Sequence, residues 1–500
     1  MKIKYLFGLA LAATLFVSCS EDMLDRINEN ETSKTTDKVA AKFQLTDAEV
    51  ATAYSTVNGA YAWYVSSYTE QLFGTGNNQM KNTELRNINE TAAATTFNNE
   101  WNATYSNLYN IYHMIVKCSE GGINAGQKDL LGIAQILYAL NWGILTDLHG
   151  DVPFSECFKS SAAPKIDKQE DIYTAILKLL DDAQVNLDAA TSNNAGDQDL
   201  VYGGDASMWS AFGHAVKARL LLHTAGRNAA VLANVVTEAQ AAIDGGFDGF
   251  AIDVFNGVTA DNSWSAYHWS RYYIASSKTV DDLMIARDDP REGIYTTGGR
   301  EICAPGDQEM AMATGGTTYP AWLDNGAAPL NIFSKAELYF ILAEAKARLG
   351  QDASAEFQEA VKASMDWYNT LNDDTYAADG ITNVTDAEVN DYLTAIDPLF
   401  QANPLKEILI EKYLAQAATE QLETYNDIRR VRYMDGANAY PVVLANPKNT
   451  TSSANRWPLR LPYGDSDVVS NPSVAAAFGS GNDAGMYIFT ENVWWAGGSR

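Results

Sequence analysis

The stretch NSWSAYHWSRYYIASS at 262–277 holds Trp264, Tyr267, His268, Trp269, Tyr272 and Tyr273, with Asn262 and Arg271 among them. The remainder is polar, so the segment is a poor core former. Flat rings interleaved with hydrogen-bonding groups suit sugar recognition: a ring face covers the C–H side of a pyranose while Asn, Arg or His reaches its hydroxyls. Tyr319 and Trp322 in TTYPAWLDNG add two rings, and the Asn-rich FGTGNNQMKNTELRN (73–87) adds Asn77 and Asn78. Trp264 and Trp269 lead as stacking candidates, Arg271 and Asn262 as polar ones, with Tyr272, Tyr319 and Trp322 beside them. The two tryptophans are five positions apart, so in an extended loop they point to opposite sides, one as a platform and the other as packing. Trp264 follows DNS and precedes no apolar run, whereas Trp269 leads into YYIA, so Trp264 is expected to be the platform. The competing reading is that half of these rings pack beneath the loops.

Catalytic chemistry finds little support. No GxSxG, HExxH, P-loop or complete GxGxxG occurs. His113, His149, His214, His223 and His268 show no metal-ligand spacing on one helix, and neither metal nor cofactor is expected. DLHGD (147–151) has the residue types of a metal or acid–base cluster, but it ends a helix before VPF, where a turn-stabilising role suits it better. A glycoside hydrolase needs two positioned carboxylates; among 63 acidic residues, candidate pairs arise by chance. DDPRE (288–292) and YNDIRRVRY (425–433) alternate acid and arginine, which structural ion pairs at helix ends explain. Cys118, Cys157 and Cys303 lack CxxC or Cys/His spacing and read as buried free thiols.

The elements that must position these groups are helical. Apolar residues recur at i, i+3, i+4 and i+7 over 129–149, which stops at Gly150 before Pro153. Further helices are expected over 167–189, 207–226 with Ser207 as N-cap, 229–244, 334–350 opening on a Ser-x-x-Glu capping box, 353–370 and 404–423. TDAE (46–49) reads as another capping box, with Thr46 as N-cap. An apolar, Ala-rich helix repeatedly precedes an amphipathic one, which resembles tetratricopeptide (TPR) repeats. The fold class is therefore mainly α: a TPR-like scaffold of helix pairs (about 129–189, 207–244 and 334–423) with loop-rich insertions at 245–333 and 430–500. Loops on a rigid scaffold are where binding residues concentrate.

The N-terminus supplies an address. Lys2 and Lys4 precede YLFGLALAATLFV, an apolar run of about a dozen residues, short of the roughly 20 that span a bilayer. It fits a secretory signal peptide over 1–18. LFVSCS resembles the lipobox of bacterial lipoproteins, which would make Cys19 the lipidated first residue of the mature chain, with 19–43 as tether and 44–500 as one folded domain. More than one acyl chain gives stable anchoring where a single one binds marginally. The acidic SEDMLD resembles a surface-export signal of Bacteroidetes lipoproteins. Removing 1–18 takes away two lysines and no acid, which leaves 33 basic and 63 acidic side chains, a net −30. Nucleic acid is an unsuited partner for such a chain.

Several segments together resemble the SusD/RagB family of nutrient-binding outer-membrane lipoproteins: the lipobox with its acidic tail, NEWNATYSNLYNIYHMI (99–115), AQILYALNWGILTDLHGDVPFSE (134–156), DDPRE, SKAELYFILAEAKARLG (334–350), EILIEKYLAQAATEQLETYNDIRRVRY (407–433) and RWPLRLPYGDSDVVSNPSV (456–474). Their order runs along nearly the whole mature chain. In LETYNDIRR, Tyr425 stands where the family often has Trp. The resemblance implies a TPR-containing helical scaffold with a loop-rich ligand face and no catalysis. It implies capture of an oligosaccharide, or in some members a peptide, for delivery to a TonB-dependent, SusC-like transporter that the protein caps. One part of the family's arc comes from a loop that here falls near Asn77–Arg86. That loop lacks an aromatic between Phe73 and Phe97, so starch specificity is not expected to carry over. The rival readings are a surface glycan hydrolase and a purely structural TPR adaptor.

Overall fold

Helices with one apolar stripe bury it only against one another, and that rule builds most of this protein. The computed structural model describes residues 38–76, 79–159, 161–298, 300–372, 374–450 and 454–499. Cys19 therefore lies outside the described residues, as do Asn77 and Asn78. Helices of at least eight residues are numbered α1 Lys42–Ala51, α2 Ala60–Tyr68, α3 Asn98–Cys118, α4 Lys128–His149, α5 Gln169–Asp188, α6 Ala206–Thr224, α7 Val231–Asp244, α8 Ser263–Arg271, α9 Lys278–Ile285, α10 Lys335–Arg348, α11 Ser354–Leu371, α12 Asp386–Ala402, α13 Pro404–Gln416 and α14 Gln421–Asp435. The pairs α4 with α5, α6 with α7 and α10 with α11 pack most extensively, which makes the scaffold TPR-like. The apolar run of α4 is spent in the core: nearly every residue from Asp129 to His149 is buried. Leu338, Leu342 and Ala345 form the expected buried stripe of α10.

Three short antiparallel ribbons clip the loops to this scaffold: β1 Leu72–Gly74 with β5 Ile274–Ser276, β2 Val152–Pro153 with β3 Ile166–Asp167, and β4 Phe250–Ile252 with β6 Leu330–Phe333. The first matters most for function. Phe73 pairs with Ala275, which draws the segment after Gly74 alongside the residues that follow α8.

Several helix boundaries differ from the sequence reading. Helix α1 begins at Lys42, within the stretch read as tether, because Ala41 and Leu45 bury their side chains completely. Thr46 and Glu49 are inside it and form no capping box: the Thr46 hydroxyl donates to the Gln198 carbonyl at 2.7 Å and the Glu49 carboxyl accepts from the Leu200 N–H at 2.9 Å. Asp205, not Ser207, caps α6 by accepting from the Ser207 and Met208 amides. Ser334 does cap α10, accepting from Glu337 N–H at 2.9 Å, but Glu337 turns away to Arg219. The expected single helix over 404–423 is two, broken at 417–420, where Thr419 is left-handed with φ +82°. Helix α14 then runs on to Asp435, into a region read as irregular. Helix α12, opened by a full Thr385/Glu388 capping box, lies between the helices expected over 353–370 and 404–423.

The acid–arginine clusters are structural, as expected. Arg291 is fully buried, with Nε 2.9 Å from Asp289 and Nη2 2.6 Å from Glu411. Arg430, equally buried, bridges Asp427 of α14 to Glu344 of α10 at 2.8 and 2.6 Å. Removing one member of such a pair strands a buried charge, at a cost of about 3–5 kcal/mol. In DLHGD, His149 Nε2 lies 2.9 Å from the Tyr61 hydroxyl and Asp151 accepts from Gln169 N–H at 2.9 Å. Cys118, Cys157 and Cys303 are free and buried.

Candidate functional site

The segment 262–277 is not an extended loop: its middle is α8. Asn262 caps that helix, accepting from Ser265 N–H at 3.0 Å, while its amide donates to the carbonyls of Asn325 (2.8 Å) and Ala328 (3.2 Å). Its polar atoms are thus consumed inside the protein, and it is 3% exposed. Each residue of a helix turns by about 100°, so Trp264, Tyr267 and His268 at i, i+3 and i+4 share one face. That face points inward. Trp264 is 1% exposed; its Nε1–H donates to Asn58 Oδ1 at 3.0 Å and its ring meets Trp322 edge-on. Trp322 is buried too. Trp264, Trp322 and Asn262 therefore cannot present themselves to a ligand in this structure: the expected platform, Trp264, is a packing residue, and the exposed tryptophan of the two is Trp269.

Trp269, 51% exposed, is turned away from that face, Arg271 is exposed as the last residue of the helix, and Tyr272, 38% exposed, is its C-cap. Tyr272 adopts the left-handed conformation with φ +54°, and its N–H donates back to the His268 carbonyl at 2.6 Å. That αL cap throws the Tyr272 ring beside Trp269: the centroids are 5.6 Å apart and the planes cross at 78°, an open aromatic corner. Beneath the corner lies His268, 5.6 Å from the Tyr272 ring and 4.5 Å from Tyr319. Both its ring nitrogens are buried without a hydrogen-bond partner among the described residues. Burial lowers its pKa to about 4, so the imidazole is neutral at physiological pH. Tyr319 is half-buried; its hydroxyl donates to Asp324 at 3.1 Å and lies 3.1 Å from that of Tyr376, which also bonds Asp324.

Two further groups join the patch that sequence reasoning missed. Trp63 of α2 stacks on Tyr267 with centroids 3.9 Å apart and planes 16° from parallel. Thr75 N–H donates to the Tyr273 carbonyl at 2.8 Å, and Gly76, with φ +88°, passes so close that a Cβ there would sit 2.1 Å from the Tyr273 ring. Gly76 thus fixes where the Asn-rich loop begins relative to the aromatic segment. Beyond it, Tyr64, Gln79, Asn82, Glu90 and Thr95 line a polar recess of about 190 Å³. A separate groove of about 570 Å³ lies between α9 and residues 441–445. Its lining is mostly aliphatic, with Leu283, Pro305, Ile410, Pro441 and Val443, joined by Lys278, Thr279 and Asp282, and no aromatic ring is among the lining residues to cover a sugar face. No group of three or more His, Cys, Asp or Glu among the described residues is placed to hold a metal ion.

A family model named SusD-like and described as starch-binding, associating with outer membrane, matches residues 28–464. A susd/ragb family protein from Bacteroides thetaiotaomicron is 31% identical over 93% of this chain and 100% of its own, with a TM-score of 0.83. A SusD homolog from Bacteroides fragilis (18% identity, 92% of this chain, 100% of that one, TM-score 0.69) has the same fold. So does a chitin-binding SusD homolog from Flavobacterium johnsoniae (19%, 91% and 98%, TM-score 0.65). No curated protein matches the chain.

Proposed function

The chain belongs to the SusD-like family, and from that premise we propose that it is a non-catalytic surface lipoprotein that captures a nutrient oligosaccharide and passes it to a TonB-dependent, SusC-like transporter. The family description couples starch binding with the outer membrane, and one structure of the same fold belongs to a protein described as chitin-binding. The observation that carries the reading is the open corner of Trp269 and Tyr272, with Arg271 between them in sequence and a neutral, unpaired His268 beneath. Two ring faces, a guanidinium and an imidazole meet the needs of a pyranose, whose C–H face wants a ring and whose hydroxyls want donors and acceptors. The corner sits on a helix capped at both ends and backed by buried tryptophans, so little ordering is required on binding. Cys19 is assigned the lipid anchor on its lipobox context.

Affinity gels and calorimetry against a panel of neutral and acidic polysaccharides, with a reducing-end assay on the same mixtures, test this. Binding without new reducing ends supports capture without catalysis. New reducing ends would make the protein a surface hydrolase, and binding to peptides alone would replace the glycan ligand. Hand-over is tested by purifying the lipidated protein from native membranes: a TonB-dependent barrel should accompany it, and its absence would overturn that step.

A further inference from the structure

Helix α3 presents a row of rings that the reading above does not use. Trp101, Tyr105 and Tyr109 follow at i, i+4 and i+8, one stripe of the helix climbing about 6 Å per step. The rings of Trp101 and Tyr105 are 4.9 Å apart, and Tyr109 leans on His113 at 4.4 Å. Facing the stripe is Phe158, 5.6 Å from Tyr109 with the planes crossing at 66°, and 5.7 Å from Tyr112. Between them lies a groove of about 490 Å³, lined in addition by Asn102, Ser106, Asp467 and Asn471. That volume is in the range of small-molecule sites.

The groove has the marks of a built site. Phe158 is held in the left-handed region with φ +63°, a conformation a bulky residue keeps only where its surroundings impose it, and such strain gathers at functional positions. Tyr109 is 48% exposed at the rim. Asn102 and Ser106, one turn apart and both exposed, run as a polar stripe beside the aromatic one. Asp467 accepts from Trp101 Nε1–H at 2.8 Å, and Asn471 is pinned by donating to the Pro164 carbonyl at 2.7 Å. Burial raises the Asp467 pKa. No Lys or Arg is among the lining residues, so a phosphate or an acidic sugar finds no counter-charge. Rings flanked by an amide, a hydroxyl and a carboxylate match a neutral pyranose.

We infer that this groove is a second site for neutral oligosaccharides, with Tyr109 and Phe158 as ring platforms and Asn102, Ser106 and Asp467 as hydrogen-bonding groups. It shares no residue with the corner at Trp269, and it rests on the carbohydrate-binding reading of this protein. A glycan long enough to engage both sites at once would be held more tightly than by either alone.

Calorimetry of the full chain with neutral trisaccharides, maltotriose and chitotriose included, tests it, because such short probes count sites separately. Wild type should bind two equivalents of at least one probe. Tyr109→Ala and Asn102→Ala, both at exposed positions, should each lose or weaken one site at least tenfold while keeping the wild-type melting curve. Trp269→Ala should weaken the other site by a factor of roughly 5–30 and leave the groove's affinity unchanged, and Tyr109→Ala with Trp269→Ala should weaken both. Stoichiometry and affinity unchanged in Tyr109→Ala and Asn102→Ala would overturn the groove and leave the corner standing. Binding lost in Tyr109→Ala but untouched in Trp269→Ala would keep the groove and remove the corner. No binding of any neutral trisaccharide to wild type would overturn both.

Discussion

Trp264 and Trp322 meet edge to face, centroids 5.6 Å apart and planes at 83°, and the contact decides what α8 can offer a ligand. It bolts the helix to the segment at 321–324, while the Trp264 Nε1–H reaches Asn58, whose own amide donates to the Asn331 carbonyl at 2.8 Å. Trp264→Ala should therefore act on stability, by about 3–5 kcal/mol as for other buried large aromatics. Trp264→Phe keeps most of the ring and should cost less, near the ~1 kcal/mol of a lost hydrogen bond plus a small cavity. Urea denaturation measures both. An unchanged unfolding midpoint in Trp264→Ala combined with lost glycan binding would return Trp264 to the binding surface.

Trp269→Ala should do the reverse. The ring is half exposed, so its removal should leave the melting curve in place and weaken oligosaccharide binding by about 1–2 kcal/mol, a factor of roughly 5–30. Tyr272→Ala should weaken binding similarly, while Tyr272→Gly keeps the left-handed backbone without strain and so separates loss of the ring from disturbance of the cap. Calorimetry with the best ligand of the polysaccharide panel checks all three. Equal affinity in wild type and Trp269→Ala would place the capture surface elsewhere.

The helix pairs were legible because their buried positions are mostly aliphatic: Leu338, Leu342 and Ala345 repeat at the helical period, with Ala336, Ile341 and Ala343 buried beside them. Helix α8 escaped notice because its buried stripe is Trp264, Tyr267 and His268, which has the same period but reads as polar and aromatic. That period places Trp264 on the buried side and leaves Trp269 off it. The stack of Trp63 on Tyr267 had no local trace, since the partners are far apart in the chain and meet only through tertiary packing. The break at 417–420 was invisible for another reason. AQAATEQ consists mostly of good helix formers, and its interruption is set from outside, where Trp367 Nε1–H donates to the Ala418 carbonyl at 3.1 Å. Thr46 shows the same limit: a capping pattern does not fix a helix start when apolar residues before it have a core to enter.

That core carries its own prediction. Leu342 is 1% exposed in α10, the first helix of a packed pair. Leu342→Ala should cost about 2–5 kcal/mol and lower the melting temperature without altering ligand preference. A shift within error would mean that the scaffold closes around the cavity far better than its helix packing suggests.

Cys19→Ala tests the address separately from the fold. Cys118, Cys157 and Cys303 are buried, with thiol pKa values pushed up to about 12 chiefly by burial, so none is a reactive substitute for a lost anchor. The variant should move from the membrane fraction to the soluble one after detergent-free lysis, with unchanged melting and glycan affinity. Retention in membranes of cells that lack the partner transporter would refute lipidation at this cysteine.

Stability should fall as the medium becomes alkaline, and His223 should account for part of the fall. Its Nε2 lies 2.9 Å from Glu423 and its Nδ1 3.2 Å from Asp147, all three buried, with Tyr173 also on Nδ1 at 3.1 Å. Burial alone would depress its pKa, but the two carboxylates outweigh burial and raise it from 6.5 to about 9. The folded state thus holds a proton that the unfolded chain releases above pH 6.5. The resulting stabilisation is complete below pH 6.5 and disappears as pH rises through about 9. Glu49 works in the same direction: burial first, then Asp199, raise its carboxyl from 4.5 to about 9, so the fold keeps a proton that the unfolded chain loses above pH 4.5. The melting temperature should accordingly decline from pH 6.5 to 9. The decline should be shallower in His223→Gln, although that variant is less stable at pH 6, because the buried carboxylates lose their cation. It should also be shallower in Glu49→Gln, whose neutral amide has no proton to lose. A His223→Gln curve parallel to wild type across pH 6–9 would mean that the imidazole carries no charge in the fold.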